Sequence, residues 1–351
     1  MSVTESQILA SLRSVKWNRE DIVTSHMIGG ITLVPEDHGT KVSIVLQIEP
    51  QKNVDYDPLQ KQTEQTVLAL QGVSSVAVIL TAHQGQQPQR QPHVTQKISL
   101  PNVRYVVAVA SGKGGVGKST TSVNLAAALT QNGLKVGLLD ADIYGPSIPR
   151  MLAVTGKPQA REDKKLIPHQ RYGMAVMSMG FLIAEDAPMI WRGPMVHSAI
   201  TQLFRDVDWG TLDILVVDLP PGTGDAQLTM AQSAPLSGAI IVSTPQDIAL
   251  LDARKGLAMF QKVNIPVLGI VENMSMFICP HCGERSDIFS HGGAKDEAEK
   301  LKIPFLGEIP LDMAVRVKSD EGLPLTLAEP EGKIAQLYRE MADKLWKSLS
   351  A

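Results

Sequence analysis

The stretch Ser111-Gly112-Lys113-Gly114-Gly115-Val116-Gly117-Lys118-Ser119-Thr120 decides how this chain folds. An apolar run, Val106 to Ala110, precedes it, and a helix-forming segment, Ser119 to Gln131, follows and closes at Asn132-Gly133. Gly112, four residues, then Gly117, Lys118 and Ser119 fit the P-loop pattern, in which backbone N–H groups wrap nucleotide phosphates, the lysine neutralises them and the hydroxyl holds Mg²⁺. Strand, glycine-rich turn and helix in that order bring the phosphates to a helix N-terminus, whose unpaired N–H groups favour anions. The expected phosphate cradle is Gly112, Lys113, Gly114, Gly115, Val116, Gly117, Lys118, Ser119 and Thr120, with Ser119 on Mg²⁺.

Downstream, short β-rich runs alternate with helical segments: Val136 to Leu139, Ile214 to Val217, Ala239 to Ser243, Val267 to Val271 and Phe305 to Ile309 read as strands. This alternation predicts an α/β fold with a mostly parallel sheet and helices on both faces, and most of the runs are continuously apolar, as doubly covered strands are. Ligands in such sheets bind at the carboxyl ends of strands, so the residues directly after each run matter most. After the second run stand Asp140 and Asp142, and after the third Asp218, ahead of Pro220-Pro221-Gly222-Thr223-Gly224-Asp225. Asp218 is expected on Mg²⁺, Asp140 in the metal shell, and Asp142 as the carboxylate that positions the attacking water. Gly222 and Gly224 give the third loop freedom to respond to the γ-phosphate. The loops Thr244-Pro245-Gln246-Asp247 and Glu272-Asn273-Met274 are the candidates to hold the base. Asn273 can both donate to and accept from adenine edges, and Asp247 reads as the cap of a helix running to Lys262.

Ahead of this region, residues 1 to 82 read as a small α+β domain. It has a helix over Glu5 to Leu12, a hairpin of Gly30 to Val34 and Lys41 to Leu46 around Pro35 to Gly39, a helix over Asp57 to Leu70 and a strand over Val73 to Leu80. Residues 83 to 101, Gln- and Pro-rich at Gln84 to Gln96, read as a linker, and 102 to 351 as the nucleotide domain.

The 351 residues are 44% hydrophobic and carry a formal net charge of −3, ordinary soluble globular composition with no basic stripe or face for nucleic acid. The first residues lack the apolar core of a signal peptide and no run approaches a membrane span, so a cytoplasmic location and no membrane partner are expected. Both cysteines lie in Phe277-Ile278-Cys279-Pro280-His281-Cys282-Gly283, which resembles a rubredoxin-like or zinc-ribbon knuckle. A tetrahedral sulfur site or cluster wants four protein ligands, and one chain supplies two, so a second chain would complete the set. Two other readings stand beside it: a zinc staple across two chains with His281 or His291 participating, and a thiol–disulfide motif, against which Gly283 to Asp287 reads as loop where a helix should begin.

Lys113 is a second lysine within the P-loop, and this loop resembles the deviant form of the MinD, ParA and nitrogenase iron-protein class. The resemblance implies ATP as nucleotide, a homodimer, and a Lys113 that reaches the partner's nucleotide, so that Lys113, Lys118 and Asp142 form the catalytic set. Taken together, GKGGVGKSTTSVNLA, LLDADIYGPSIPRML, WRGPM, DLPPGTGDAQL, TPQDIALLDARKG, VLGIVENMSMFICPHCG and FSHGGA are similar to the Mrp/ApbC family of iron–sulfur cluster carrier ATPases over residues 100 to 345. That resemblance implies a 4Fe-4S cluster shared by Cys279 and Cys282 of two chains, with a cluster-assembly scaffold and apo iron–sulfur proteins as partners. It also implies that residues 1 to 82 are the family's accessory assembly domain, although the cysteine usual there is replaced by Ile48-Glu49-Pro50-Gln51-Lys52-Asn53. The rival reading is a MinD/ParA-like positioning ATPase, for which Ile334, Leu337, Tyr338, Met341, Leu345 and Leu349 would form the membrane-facing stripe of a last helix.

Overall fold

The computed structural model describes residues 3–17, 20–25, 27–36, 39–48, 56–82, 98–182 and 193–350. The chain divides into two compact units, Met1–His93 and Val94–Ala351.

The first unit runs α1 (Glu5–Leu12), β1 (Lys16–Trp17), β2 (Glu20–Asp21), β3 (Ile28–Glu36), β4 (Gly39–Ile48), α2 (Asp57–Leu68) and β5 (Val73–Ala82). Thr4 and Gln7 close a reciprocal capping box that fixes where α1 starts. In the sheet, ordered β3-β4-β5, β4 pairs antiparallel with β3 and parallel with β5. Period-two alternation sends Val42, Ile44 and Leu46 inward against Ile8, Leu12, Leu59 and Val67. The hairpin is tighter than the sequence suggests: Pro35, Glu36 and Gly39 belong to the paired strands, Glu36 opposite Gly39. Residues 37–38, the Glu49 to Asn53 segment and the Gln84 to Gln96 linker lie outside the described residues.

In the second unit the chain passes through β6 (Val103–Ala110), α3 (Lys118–Gln131), β7 (Val136–Asp140), α4 (Ile148–Met151), β8 (His169–Arg171), β9 (Met174–Ser178), α5 (Gly193–Arg205) and β10 (Leu212–Asp218). It continues through α6 (Asp225–Ser233), β11 (Gly238–Ser243), α7 (Asp247–Lys262), β12 (Val267–Ile278), β13 (Arg285–Ser286), α8 (Gly293–Leu301), β14 (Phe305–Leu311), α9 (Met313–Asp320), α10 (Leu325–Ala328) and α11 (Lys333–Ser350). Nine strands form one sheet, β13-β12-β11-β6-β10-β7-β9-β8, with β14 on the other side of β12. All pairings are parallel except those of the two short strands β8 and β13. The parallel register aligns Asp218 with Asp140, so both residues stand side by side at the carboxyl ends of two interior strands.

Several sequence expectations are corrected here. The fifth strand does not stop at Val271: Glu272, Asn273 and Met274 lie inside β12, which continues to the cysteines because β14 supplies a ladder beyond the apolar core. Arg285 and Ser286, read as loop, pair with Ile278 and Phe277. Asp247 is the first residue of α7 and Gln246 its N-cap, with no side-chain cap bond. Ile98 and Leu100, read as linker, pack on the core of this unit, and the Ile98 N–H donates to Ser233 O. Trp191 and Arg192 lie outside the described residues, and Gly193-Pro194 opens α5.

The stripe on α11 is spent internally: Ile334, Tyr338, Met341 and Leu345 are buried, and Leu337 and Leu349 pack against the same core. Among the described residues no helix is long and apolar enough to cross a membrane.

Candidate functional site: a phosphate cradle and a thiol turn

The loop between β6 and α3 is held from two sides. Gly117 has φ +81°, a left-handed conformation suited to glycine, and a Cβ there would lie 2.1 Å from Asn273 Nδ2. A Cβ on Gly112 would lie 2.2 Å from the backbone carbon of Asp252, so the start of the loop is seated directly on α7. The loop and the first residues of α3 line a cavity of about 290 Å³ together with Ser111 and Asp142, with Gly115, Lys118, Ser119 and Thr120 among its walls. The residues expected to cradle phosphate thus line one cavity at a helix N-terminus.

Around Lys118 the structure gathers the predicted carboxylates. Lys118 Nζ donates to Asp218 Oδ2 at 2.7 Å and stands 3.8 Å from Asp142 Oδ2. Ser119 Oγ donates to the same Asp218 oxygen at 2.6 Å, and Ser122 Oγ to Oδ1 at 2.6 Å. Ser122, one helical turn beyond Lys118, was not singled out by the P-loop pattern; its i+3 spacing from Ser119 on a helix facing an acidic strand end was the available signal. Burial raises the pKa of Asp142, against the opposing charge of Lys118. Its Oδ1 accepts from the N–H groups of Tyr144 and Gly145, both at 3.3 Å.

Asp140 is fully buried, and its oxygens accept from Asp142 N–H (3.1 Å), Ile148 N–H (3.1 Å) and Ser178 Oγ (3.0 Å). These bonds make it the anchor of the loop from β7 to α4. Burial, reinforced by the neighbouring Asp218 charge, pushes its carboxyl up to about 7. Two carboxylates, Asp218 and Asp142, therefore lie within 4.0 Å of one lysine, with Asp140 buried beyond them, a group short of positive charge. Ser119 and Asp218, which share a hydrogen bond, fit the Mg²⁺ that P-loop chemistry brings with a nucleotide.

A prediction follows for the nucleotide-free protein. A carboxyl whose native pKa lies above its unfolded value binds a proton in the native state that the unfolded chain releases, so its contribution to stability falls as pH rises from about 4 to about 7. Asp140→Asn should remove that component. Thermal melts across pH 4.5–8 should show the wild type losing stability relative to the variant as pH rises, and parallel profiles would refute the assignment.

Beside the cradle lies a second cavity of about 410 Å³, lined by Gly117, Thr120, Met151, Met274, Ile309, Pro310, Leu311 and Val315, with Arg150, Asp312 and Arg316 among its polar groups. Asn273 borders it, and its Nδ2 donates to Val116 O at 2.9 Å, which ties one of its amide hydrogens to the P-loop. Lys113 points to neither Asp142 nor Asp218: its Nζ donates to Gln246 Oε1 at 3.3 Å.

The thiols sit where β12 turns into β13. Cys279 N–H donates to Glu284 O at 2.9 Å and Gly283 N–H to Cys279 O at 2.8 Å, a tight knuckle closed by Gly283 at φ +74°. The backbone N–H groups of Cys282 and His281, then the Cys282 thiol, lower the pKa of the Cys279 thiol, which favours the thiolate that metals bind. Cys279 is half-buried and Cys282 exposed. His291 Nε2 pairs with Glu308 Oε2 at 2.9 Å, while Glu272 accepts from the Gly292 and Ala294 N–H groups at the start of α8.

The ParA family model, described as NUBPL iron-transfer P-loop NTPase, matches residues 102–346. The "Iron-sulfur protein required for NADH dehydrogenase, mitochondrial" of Arabidopsis thaliana is 54% identical over 256 residues, 73% of this chain and 82% of that protein. An "Iron-sulfur cluster carrier protein" of Pseudomonas fragi is 49% identical, covering 78% of this chain and 94% of the relative. Among solved structures, a nucleotide-binding protein from Archaeoglobus fulgidus in complex with ADP and containing Co superposes with TM-score 0.57 at 43% identity, over 65% of this chain and 90% of that one. A P-loop seated on a parallel sheet, its acidic strand ends and the match across 102–346 lead to one conclusion: the chain belongs to the ParA family of iron-transfer P-loop NTPases.

Proposed function

We propose that this ATPase carries an iron–sulfur cluster, a 4Fe-4S unit held between two copies of the chain by Cys279 and Cys282 of each. Nucleotide state governs its loading from a scaffold and its release to apo iron–sulfur proteins. The observation that carries the reading is the continuity of β12. Asn273 touches the P-loop at Val116, and β12 runs on from it, through an irregularity between Asn273 and Phe277 with Met274 at φ +57°, to end at Ile278, directly before Cys279. A movement of the P-loop is thereby delivered to the turn that presents the thiols.

In this reading the phosphates enter the cradle and draw Lys118 from Asp218 toward their own charge. Asp218 and Ser119 are then free for Mg²⁺, which neutralises charge on the transferring phosphoryl group when bound. Asp142, with Oδ2 facing the cradle, orients the attacking water, and Asp140 keeps the Asp142 loop in place. The base occupies the apolar cavity beside Gly117, where Met274, Ile309 and Leu311 offer flat contact area. Lys113 acts on the partner's phosphates, a cation supplied across an interface, which is worth roughly 10³–10⁵ in rate in comparable systems. Two thiolates per chain leave a cluster half-ligated, so pairing and cargo require each other.

The test is anaerobic reconstitution of the full chain with iron and sulfide. The expected result is a visible thiolate-to-iron chromophore, about four irons per pair of chains, and a mass that doubles with loading. Stoichiometric zinc without a chromophore, or a loaded species that stays monomeric, would reject the reading.

A further inference from the structure

Lys113 is a cation without a counter-ion: among the described residues no carboxylate lies within 4.0 Å of its ammonium, and its side-chain partner is Gln246 Oε1, at 3.3 Å. Gln246 holds an unusual place. It is the N-cap residue of α7, yet its side chain makes no cap bond to the free N–H groups of its own helix. Its oxygen instead accepts from Lys113 and, at 3.4 Å, from Thr244 Oγ1, which is buried and fixes the amide from below. The backbone around Lys113 has little freedom. Gly112 is pressed on the Asp252 backbone, and Ser111 Oγ donates to Lys113 O at 2.9 Å. What remains free to move is the Lys113 side chain, between its own Gln246 and anything beyond it.

We propose that Gln246 is the resting berth of Lys113, a positioning residue that keeps this lysine on its own chain until a partner's nucleotide competes for it. The inference rests on the reading of Lys113 as a lysine that acts on the second chain's phosphates. The chemistry of the berth suits that task. A neutral amide oxygen orients an ammonium through one hydrogen bond of modest net strength, whereas a carboxylate would hold it through a charged one. An amide berth lets go when phosphate charge arrives. A carboxylate berth would not, and an aliphatic residue would leave the lysine unheld.

Gln246 therefore controls turnover in both directions. In steady-state ATP hydrolysis by the full chain at saturating ATP, Gln246→Glu should lower kcat about tenfold, the difference between a charged and a neutral hydrogen bond, and Gln246→Ala should raise it severalfold. Both effects should vanish in the Lys113→Ala background, the fourth corner of the cycle. A residue that merely supported α7 would shift both variants in the same direction, with or without Lys113. Same-direction changes, or effects that persist beside Lys113→Ala, overturn the berth while leaving the role of Lys113 intact. A Lys113→Ala variant with wild-type turnover overturns both.

Discussion

Lys118→Ala is expected to reduce affinity for Mg–ATP by at least about 10³-fold and to make the nucleotide-free protein unstable above neutral pH. The reason is the charge balance around this one ammonium. Lys118 is 7% exposed and bonds Asp218, which is fully buried, with Asp142 next in line and Asp140 behind. Removing one partner of a buried pair leaves an uncompensated charge and costs about 3–5 kcal/mol. Here the carboxylates relieve that charge by taking up protons, a response that weakens as pH rises. The phosphates would then arrive at an acidic pocket with no lysine to receive them. Titration calorimetry with ATP and Mg²⁺, together with melts at pH 5 and pH 8, checks both halves. Wild-type affinity in this variant would remove Lys118 from the phosphate site, and a melting point equally low at both pH values would remove it from the charge balance.

The parts of this site legible in sequence are those in which one local pattern fixes one geometry. Gly117 and Lys118 reveal themselves because a phosphate cradle has a fixed spacing. Asp140, Asp142 and Asp218 do so because strands buried on both faces are apolar until they end, and a carboxylate at the end is conspicuous. What stayed hidden depends on contacts between segments far apart in the chain. Asn273 reads as a loop residue with a free amide, yet β14 pairs alongside and extends β12 past it, and its amide meets Val116 from 157 residues away. Ser178, which bonds Asp140 from a strand on the far side of β7, carried no local signature at all. Asp247 resembled a cap by composition, but the backbone gives that position to Gln246, whose side chain is turned to Lys113. The stripe of α11 was periodic enough for either a membrane or a core, and only the packing of Tyr338 and Met341 into the sheet layer decides between them.

Cys279→Ser and Cys282→Ser, singly, are each expected to abolish capture of the iron–sulfur cargo while leaving ATP affinity of the cluster-free protein within about twofold, since neither substitution touches the Asn273–Val116 bond through which β12 meets the P-loop. A pair of chains carrying either substitution keeps two sulfurs where four are needed, and a serine hydroxyl does not ionise near neutral pH to replace the missing thiolate. The knuckle should survive, because the bonds Cys279 N–H to Glu284 O and Gly283 N–H to Cys279 O run between backbone groups, and a serine oxygen at position 279 still accepts from the Cys282 and His281 N–H groups that now meet the sulfur. Cargo capture is read as the visible chromophore and iron content after anaerobic reconstitution, ATP affinity by calorimetry. Retained chromophore in either variant would mean that another ligand completes the site and that the two-chain thiolate cage is wrong. Loss of ATP affinity together with cargo would mean that the thiols hold a structural metal on which the P-loop depends, with β12 as the element that transmits the damage. Loss of cargo alone is the expected outcome, and the coupling, reciprocal by linkage, is then tested by whether ATP changes the rate at which the bound cluster of the wild type is surrendered to a chelator.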